Sequence, residues 1–172
     1  MRYIFTYLGI ALFCLLLDQA TKYLVWEKVK LSLDLLPFLS FTKTTNSGFT
    51  FGLFQQEEGF IKAVAFIGIP TLFLLLLLGV LFRIRDPLKG VALALILGGG
   101  IGNLLDRFLL GGVRDFIDFH IGQWHYPTFN VADICITSGA LLLLFGYLRE
   151  RGNLKGFENQ VEDTQEVEND NR

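Results

Sequence analysis

The chain has 172 residues, of which 52% are hydrophobic and 19% are charged. An average soluble domain is about 45–50% apolar and about 25% charged, so this composition argues against a soluble globule. The length is about that of one domain, which leaves no room for a separate catalytic domain outside a membrane part. Any chemistry therefore has to lie in or beside the bilayer.

The formal net charge of −2 hides an uneven distribution, because residues 157–172 hold 6 of the 17 acidic side chains. The rest of the chain has 14 basic and 11 acidic residues, a net charge of +3 that suits anionic lipid headgroups. This pattern gives no footprint for nucleic acid. We expect residues 157–172 to form a disordered cytoplasmic tail without a catalytic part. Cys14 and Cys135 lie in apolar runs and are predicted to be buried thiols.

Residues 63–82 contain no charge and, at 1.5 Å per residue, cover roughly 30 Å of hydrocarbon, with Pro70 tolerated inside the span. Three other apolar segments carry charges only near one end. The first lacks the small-x-small cleavage site of a signal peptide, and Phe13 precedes Cys14 where a lipoprotein signal needs a small residue. The sequence therefore predicts an all-α polytopic membrane protein. Its membrane domain, residues 1–156, has four transmembrane helices at about 3–26, 61–82, 88–106 and 131–149.

Basic residues predict the orientation. They are concentrated between helices two and three and after helix four, and the positive-inside rule places both regions in the cytoplasm: Arg83, Arg85 and Lys89, then Arg149, Arg151 and Lys155. Both termini are then cytoplasmic, and the loops at about 27–61 and 106–129 face outward. The protein is expected in a bacterial cytoplasmic membrane.

The first outer loop shows the alternation of apolar and polar residues that is typical of strands. It runs through residues 28–34 and again through Phe49, Phe51 and Leu53, which predicts a small outward-facing β element. Exposed phenylalanines there, with Trp124 and Tyr126, fit either an aromatic belt at the headgroups or a platform for a substrate. The sequence favours neither interpretation.

Three acidic residues of the spans reach one level of the membrane. Asp18, Asp106 and Asp133 are 16 or 17 residues from the basic residue at the other end of their helix, which is roughly 24–26 Å. Asp115 and Asp118 follow in the loop between helices three and four. Acidic groups within spans are costly, so they suggest a functional site.

Some of these carboxylates have ordinary structural explanations. Asp18 and Lys22 have the i, i+4 spacing of an ion pair, and Asp106 with Arg107 is compatible with the capped end of helix three. Nearby sequence offers no such cation to Asp115 or Asp133. Two carboxylates brought together in a low dielectric share one proton, so that one serves as base and the other as acid, as in aspartic peptidases.

Other chemistries fit less well. His120 and His125 lack zinc-type spacing, no GxSxG elbow is present, and we expect no metal and no cofactor. The GxxxG pair in residues 98–102 lies inside a span and indicates close helix packing instead of a phosphate loop.

Five segments, in this order, resemble motifs of the lipoprotein signal peptidases, also called type II signal peptidases. They are Asp18-Gln19-Ala20-Thr21-Lys22, Asn46-Ser47-Gly48 with Phe51-Gly52, Gly102-Asn103-Leu104-Leu105-Asp106-Arg107, residues 112–119 (GVRDFIDF), and Phe129-Asn130-Val131-Ala132-Asp133. The last two resemble the segments with the family's catalytic aspartates, which assigns Asp115 and Asp133. The choice of this pair over Asp18, Asp106 and Asp118 rests on the resemblance.

The resemblance implies an endopeptidase that cleaves diacylglyceryl-modified prolipoproteins before the lipidated cysteine, at the outer membrane face. It also implies binding of membrane lipid and of a cyclic-peptide inhibitor of the globomycin type. The residues that match supporting positions of the family are Asp18, Lys22, Asn46, Gly48, Gly99, Gly102, Asn103, Arg107, Asn130 and Ala132. For Gly99, Gly102 and Ala132, helix packing explains the residue equally well. Phe49 and Thr50 stand where the family commonly has small residues, which predicts a bulkier pocket wall.

Two functions from other classes fit the sequence less well. A small transporter or channel subunit would bind cations with the same aspartates, but a conduction path needs ionisable residues spread through the bilayer. A membrane scaffold held by GxxxG contacts does not account for outer loops rich in Asn, Asp and Arg. The sequence therefore favours the peptidase.

Overall fold

The computed structural model describes residues 3–47 and 59–170. In chain order its elements are α1 (Ile4–Lys28), β1 (Ser32–Leu36), β2 (Leu39–Asn46), α2 (Phe60–Ala63), a π-helical turn (Val64–Gly68), α3 (Ile69–Leu81), α4 (Pro87–Leu110), β3 (Val113–Ile121), β4 (Trp124–His125) and α5 (Val131–Asp170). Four segments are long and apolar enough to cross a membrane: Ile4–Lys28, Val64–Leu81, Pro87–Leu110 and Val131–Arg151. The predicted four spans are confirmed.

Helix α4 lies at the centre of the bundle, in contact with α1, α3 and α5. Its glycines allow this close approach. A Cβ atom on Gly98 would lie 2.4 Å from the carbonyl oxygen of Ala11, and one on Gly99 would lie 2.4 Å from that of Ala132. The packing role expected for residues 98–102 is therefore present, since only a residue without a side chain fits at these crossings.

The second span contains a short π-helical turn just before Pro70. Proline has no N–H to donate to the carbonyl one turn earlier, so regular α-helical bonding is interrupted there. The Thr71 hydroxyl donates to the carbonyl oxygen of Ile67 at 2.6 Å and supplies a hydrogen bond at the interruption. This is the accommodation that allows a proline inside a membrane span.

A four-stranded antiparallel sheet, in the order β1-β2-β3-β4, covers one end of the bundle. The β element was expected in the first outer loop, where β1 and β2 lie, although residues 49–53 fall outside the described residues. Asp115 and Asp118 lie, as expected, in the connection between the third and fourth spans, but that connection contains a strand that was not predicted: β3 carries both residues and pairs with β2. That pairing joins segments about 70 residues apart in sequence, which local alternation does not reveal.

We call this end of the bundle the sheet end, and the opposite end the basic end. At the basic end, Lys89 of α4 and Glu150 of α5 form an exposed ion pair at 2.7 Å. Helix α5 continues from there to Asp170.

Candidate active site

Four carboxylates are buried at the sheet end, and a fifth is half-buried. Asp18 of α1 and Asp106 of α4 are at most 1% exposed, Asp115 on β3 is 2% exposed, and Asp118 is 6% exposed. Asp133, at the start of α5, is half-buried. The equal depth predicted for Asp18 and Asp106 agrees with their contacts, because both bind the ammonium group of Lys22, at 2.8 and 3.3 Å.

Asn130 joins Asp115 to Asp133. Its side-chain nitrogen donates to Asp115 Oδ1 at 2.6 Å, and its side-chain oxygen accepts from the backbone N–H of Asp133 at 3.0 Å. The Asp133 carboxylate in turn accepts from the backbone N–H of Asn130 at 3.1 Å. This reciprocal pair of hydrogen bonds is a capping box at the start of α5. Asn130, the capping residue, therefore contacts both Asp115 and Asp133.

Asp115 receives a second hydrogen bond from the neighbouring strand. The side-chain nitrogen of Asn46 on β2 donates to Asp115 Oδ2 at 3.1 Å, while Thr44 lies opposite Asp115 in the strand register. Burial raises the pKa of Asp115 to about 6; the Asn46 and Asn130 hydrogen bonds oppose this rise, and the charge of Asp133 adds to it. A carboxyl group with this pKa keeps its proton at pH values at which an ordinary aspartic acid is already ionised.

Asn103 of α4 connects the site to the buried lysine. Its side-chain nitrogen donates to Asp133 Oδ1 at 2.8 Å. Its side-chain oxygen accepts from Lys22 Nζ at 3.0 Å and from Asn130 at 3.1 Å. With both its polar atoms engaged, Asn103 has a fixed orientation towards Asp133.

Below the two aspartates lies a cluster of buried charges. The predicted Asp18–Lys22 pair is present, and Asp18 also accepts the backbone N–H of Ala132 at 2.9 Å. Asp106 does not form the simple helix cap with Arg107 that the sequence allowed, because its partners are Lys22 and Arg114. Helix α4 instead ends at Gly111, whose φ of 72° is the left-handed conformation that glycine adopts freely.

The remaining supporting residues predicted from the sequence differ in where they lie relative to the site. Gly48, with Phe49 and Thr50, lies outside the described residues. A Cβ on Gly102 would lie 2.5 Å from Asp18 Oδ2, and Ala132 is fully buried, so packing against the site accounts for both residues. The Arg107 guanidinium interacts electrostatically with Asp133, Asp115 and Asp106.

Sequence reasoning did not select Gln19 or Arg114 as site residues. Gln19 donates to Asp18 at 3.1 Å and to Asp106 at 3.2 Å, and its side-chain oxygen accepts from Arg114 at 2.9 Å. The available signal was position: a glutamine inside a span and an arginine beside a buried aspartate both need polar partners within the protein.

Asp118 belongs to a separate group. Its carboxylate contacts His125 Nδ1 at 2.9 Å, and the rings of His120 and His125 stack with centroids 5.1 Å apart. Ser40 is hydrogen-bonded to His120 at 2.9 Å. Among residues 3–47 and 59–170, the structure has no group of three or more His, Cys, Asp or Glu side chains arranged to hold a metal ion.

A cavity of about 290 Å³ opens beside Asp133. It runs along one face of α5 past Ile134, Thr137 and Ser138, and Tyr126 and Phe129 form its other wall. Asp133 lies at its polar part, whereas the rest of the lining is mainly apolar. A chain that entered this cavity would reach the Asp133 carboxylate.

The chain is similar to proteins of known family over most of its length. The family model for Signal peptidase (SPase) II matches residues 10–149. The chain belongs to the signal peptidase II family. A lipoprotein signal peptidase of Burkholderia thailandensis is 42% identical over 147 residues, which cover 83% of this chain and 87% of that protein. One of Polynucleobacter necessarius is 37% identical over 148 residues, or 84% and 90% of the two chains.

Solved structures agree with this membership. A bacterial membrane enzyme determined by the in meso method at 2.3 Å resolution matches with a TM-score of 0.74 and 34% identity, over 88% of this chain and 92% of that one. A second, at 1.9 Å resolution, matches with a TM-score of 0.73 and 35% identity. As a member of the signal peptidase II family, the chain is a multi-pass protease of the bacterial inner membrane.

Proposed function

We propose that the chain removes signal peptides from diacylglyceryl-modified prolipoproteins, as an aspartic endopeptidase that cleaves before the lipidated cysteine. Asp115 and Asp133 are the catalytic pair. One observation carries this proposal: Asn130 hydrogen-bonds both residues, donating to Asp115 Oδ1 and accepting from the backbone N–H of Asp133. The pKa of the buried Asp115, raised to about 6, is consistent with it. Names of the relatives support the substrate class, since they are lipoprotein signal peptidases.

The two carboxyl groups have different environments, which suits different roles. Asp115 is buried and its pKa is raised to about 6, which suits it to act as the acid. Asp133 accepts hydrogen bonds from the Asn103 side chain and the Asn130 backbone N–H at the N-terminus of α5, and it borders the cavity from which a water molecule would reach it. Asp133 is therefore the base. Pairs of acids held in unlike environments are the usual basis of such a division.

In the reaction, Asp133 takes a proton from a water molecule as the water oxygen bonds to the peptide carbonyl carbon. Asp115 gives its proton to the carbonyl oxygen, and a neutral tetrahedral diol results. The C–N bond then breaks as Asp133 returns a proton to the leaving nitrogen. One hydroxyl of the diol returns its proton to Asp115, which restores the starting state of both groups.

The substrate is held by its lipid at the membrane surface, and the site lies at the corresponding depth. A diacylglyceryl cysteine keeps its acyl chains in the bilayer, so the bond before it stays at the headgroup level. The cavity along α5 is open to an apolar chain on that side of Asp133. Exposed Trp124 and Tyr126 on the outer segment belong at a headgroup interface. Cleavage thus needs no extraction of the substrate from membrane lipid.

The orientation belongs to the same proposal. The basic end carries Arg83, Arg85 and Lys89, so the positive-inside rule places it, and both termini, in the cytoplasm. The sheet end then faces outward, where lipidated prolipoproteins present their cleavage site. A cyclic-peptide inhibitor of the globomycin type, which the resemblance implies, would bind at this same site.

The test is a gel-shift assay of purified protein in detergent with a diacylglyceryl-modified prolipoprotein. We expect Asp115→Asn and Asp133→Asn each to lower turnover by at least about 10³-fold, because each removes one half of the proton exchange. Asp118→Asn is the matched control, since Asp118 lies on the same strand but contacts His125, and it should retain most activity. Chelator is present in a parallel reaction to test metal dependence.

Two results would contradict the proposal. Turnover at the wild-type rate by either folded dyad variant would remove the mechanism. If folded wild-type protein did not cleave the prolipoprotein, the proposed substrate would be wrong. Ion flux in liposomes would then test the transporter alternative.

A further inference from the structure

Arg114 occupies a distinctive place beside the proposed dyad. It precedes Asp115 on β3, so its side chain lies on the opposite face of the strand. Its guanidinium binds both oxygens of Asp106, at 2.7 and 3.2 Å, and its backbone N–H donates to Asp106 at 2.9 Å. It also donates to Gln19 on α1 at 2.9 Å. One residue thus ties β3 to the end of α4 and to α1.

The charges around Arg114 balance. Asp18, Lys22 and Asp106 are at most 1% exposed, and the Arg114 side chain is 16% exposed. Two carboxylates and two cations make this cluster neutral. Removal of the guanidinium would leave Asp18 and Asp106 sharing the Lys22 ammonium group, with Arg107 as a further electrostatic partner of Asp106. Asp106 would lose its closest ion pair, which is unfavourable for a buried carboxylate.

Lys22 is the link from this cluster to the dyad. It lies 3.3 Å from Asp106 and donates to Asn103 at 3.0 Å. Asn103 in turn contacts Asp133 and Asn130. If Lys22 were drawn towards Asp106 after the loss of Arg114, Asn103 would lose one of the two donors, Lys22 and Asn130, that orient its amide. The hydrogen bond from Asn103 to Asp133 would then be lost or misaligned.

We propose that Arg114 is a positioning residue for the dyad. By neutralising Asp106 it keeps Lys22 on Asn103, and by anchoring β3 to α4 it holds the neighbouring Asp115 opposite Asp133. Arg114 touches neither the substrate nor the reacting atoms in this role. The inference rests on the proposed function, because it concerns the same two aspartates.

The first test is Arg114→Met, which keeps the length of the apolar stem and removes the guanidinium. We expect kcat to fall about 10- to 100-fold, the range for a small displacement of catalytic groups, with KM changed by less than about twofold. Lys89→Met is the matched control, since it removes a cation that pairs with Glu150 between α4 and α5 at the basic end. It should leave kcat unchanged.

The pH profile separates positioning from general loosening. Asp115 is faced by Asp133 of α5, Lys22 of α1 and Arg107 of α4, and the charge of Lys22 helps to lower its pKa. Movement of Lys22 away from Asn103 raises the pKa of Asp115 further. The alkaline limb of kcat/KM, where Asp115 loses its proton, therefore moves to higher pH in Arg114→Met. Loosened packing alone would lower the whole profile without moving the limb.

Arg114→Lys keeps the inference testable if Arg114→Met does not fold. Lysine retains the positive charge near Asp106 but cannot donate to both its oxygens and to Gln19 at once. We expect the folded Lys variant to keep the alkaline limb of the wild-type pH profile. Its kcat should be lowered at least about threefold, because lysine cannot form the bidentate hydrogen bonds of the guanidinium to Asp106. Wild-type kcat in this variant would overturn the inference, as would wild-type kcat in folded Arg114→Met.

Failure of the proposed function gives a different result. In that case wild-type protein does not cleave, or Asp115→Asn remains active, before any Arg114 variant is compared. If wild type is active, Asp115→Asn is inactive and both folded Arg114 variants match wild type in kcat and pH profile, only the positioning role is overturned.

Discussion

At the residue scale, the raised pKa of Asp115 links its proposed catalytic role to stability. Burial raises the pKa of Asp115 from 3.8 to about 6, so the folded chain binds this proton more tightly than the unfolded chain does. As pH rises from about 4 to above 6, the folded protein has to ionise a buried carboxyl group. Stability contributed by this group is therefore present at low pH and is lost as the pH passes through about 6. The proposed mechanism accounts for this cost, because it uses the proton of Asp115.

We predict that Asp115→Asn becomes more stable relative to wild type as pH rises from 4 to 7. Asparagine cannot ionise, so the variant does not incur the penalty, and the difference in unfolding free energy should grow by about 1–3 kcal/mol. The measurement is the unfolding temperature in detergent at each pH. Asp34→Asn, on the exposed strand β1, controls for the substitution itself. A difference for Asp115→Asn that stays constant with pH would contradict the assignment of the proton.

At the element scale, one capping box begins α5 and also builds the site. Asn130 stabilises the first turn of the helix through the N–H of Asp133, and through a different atom it donates to Asp115. The helix N-terminus is thus the element that orients Asp133, and the sheet is the element that orients Asp115. Two substitutions of Asn130 separate these contributions.

We predict that Asn130→Ser keeps much of the stability and loses activity. Serine accepts the Asp133 N–H as an N-cap, but it has no amide nitrogen to donate to Asp115. Asn130→Ala loses both interactions, and we expect it to be less stable than Asn130→Ser by about 1 kcal/mol. Thermal unfolding measures the cap, and the gel-shift assay measures the dyad. Equal stability of the two variants, or wild-type turnover by Asn130→Ser, would show that the two roles are not combined in this residue.

The elements also show how far the sequence leads. The four spans could be predicted because a bilayer requires long apolar helices, and the common level of Asp18 and Asp106 followed from counting residues along them. Strand β3 could not be predicted, because it forms by pairing with β2, which is far away in sequence. Asp115 was thus assigned by resemblance, whereas its partner Asn46 is explained only by that pairing.

Side-chain partners within the charged cluster were predictable only in part. The i, i+4 spacing identified the Asp18–Lys22 pair, because it depends on one helix. The pairing of Asp106 with Arg114 depends on a chain reversal at Gly111, which brings the start of β3 back to the end of α4. Adjacent Arg107 was the nearer candidate in sequence. The spacing of residues along a helix does not show which cation the following turn brings back to the end of that helix.

At the scale of the whole molecule, glycines on both α4 and α5 set the distance between the helices that carry the site. A Cβ on Gly139 of α5 would lie 2.5 Å from the carbonyl oxygen of Ala92 and 2.7 Å from Ile96 Cγ1. Backbone carbonyls cannot yield as a flexible side chain does, so the helices themselves have to move apart. Asn103 of α4 donates a hydrogen bond to Asp133 of α5. A change in the distance between the two helices would therefore change the geometry of the proposed catalytic pair.

We therefore predict that Gly139→Ala destabilises the bundle by about 1–3 kcal/mol, the usual cost of overpacking a close contact. Gly139 lies six residues, or roughly 9 Å along the helix, from Asp133, so any loss of turnover reflects displaced helices and not direct contact. Gly79→Ala is the matched control, since a Cβ there meets nothing within 4 Å. Thermal unfolding in detergent and kcat should both fall in the first variant and stay near wild type in the second. Equal unfolding temperatures for the two variants would mean that α4 and α5 tolerate a wider separation, and that their spacing does not control the geometry of the site.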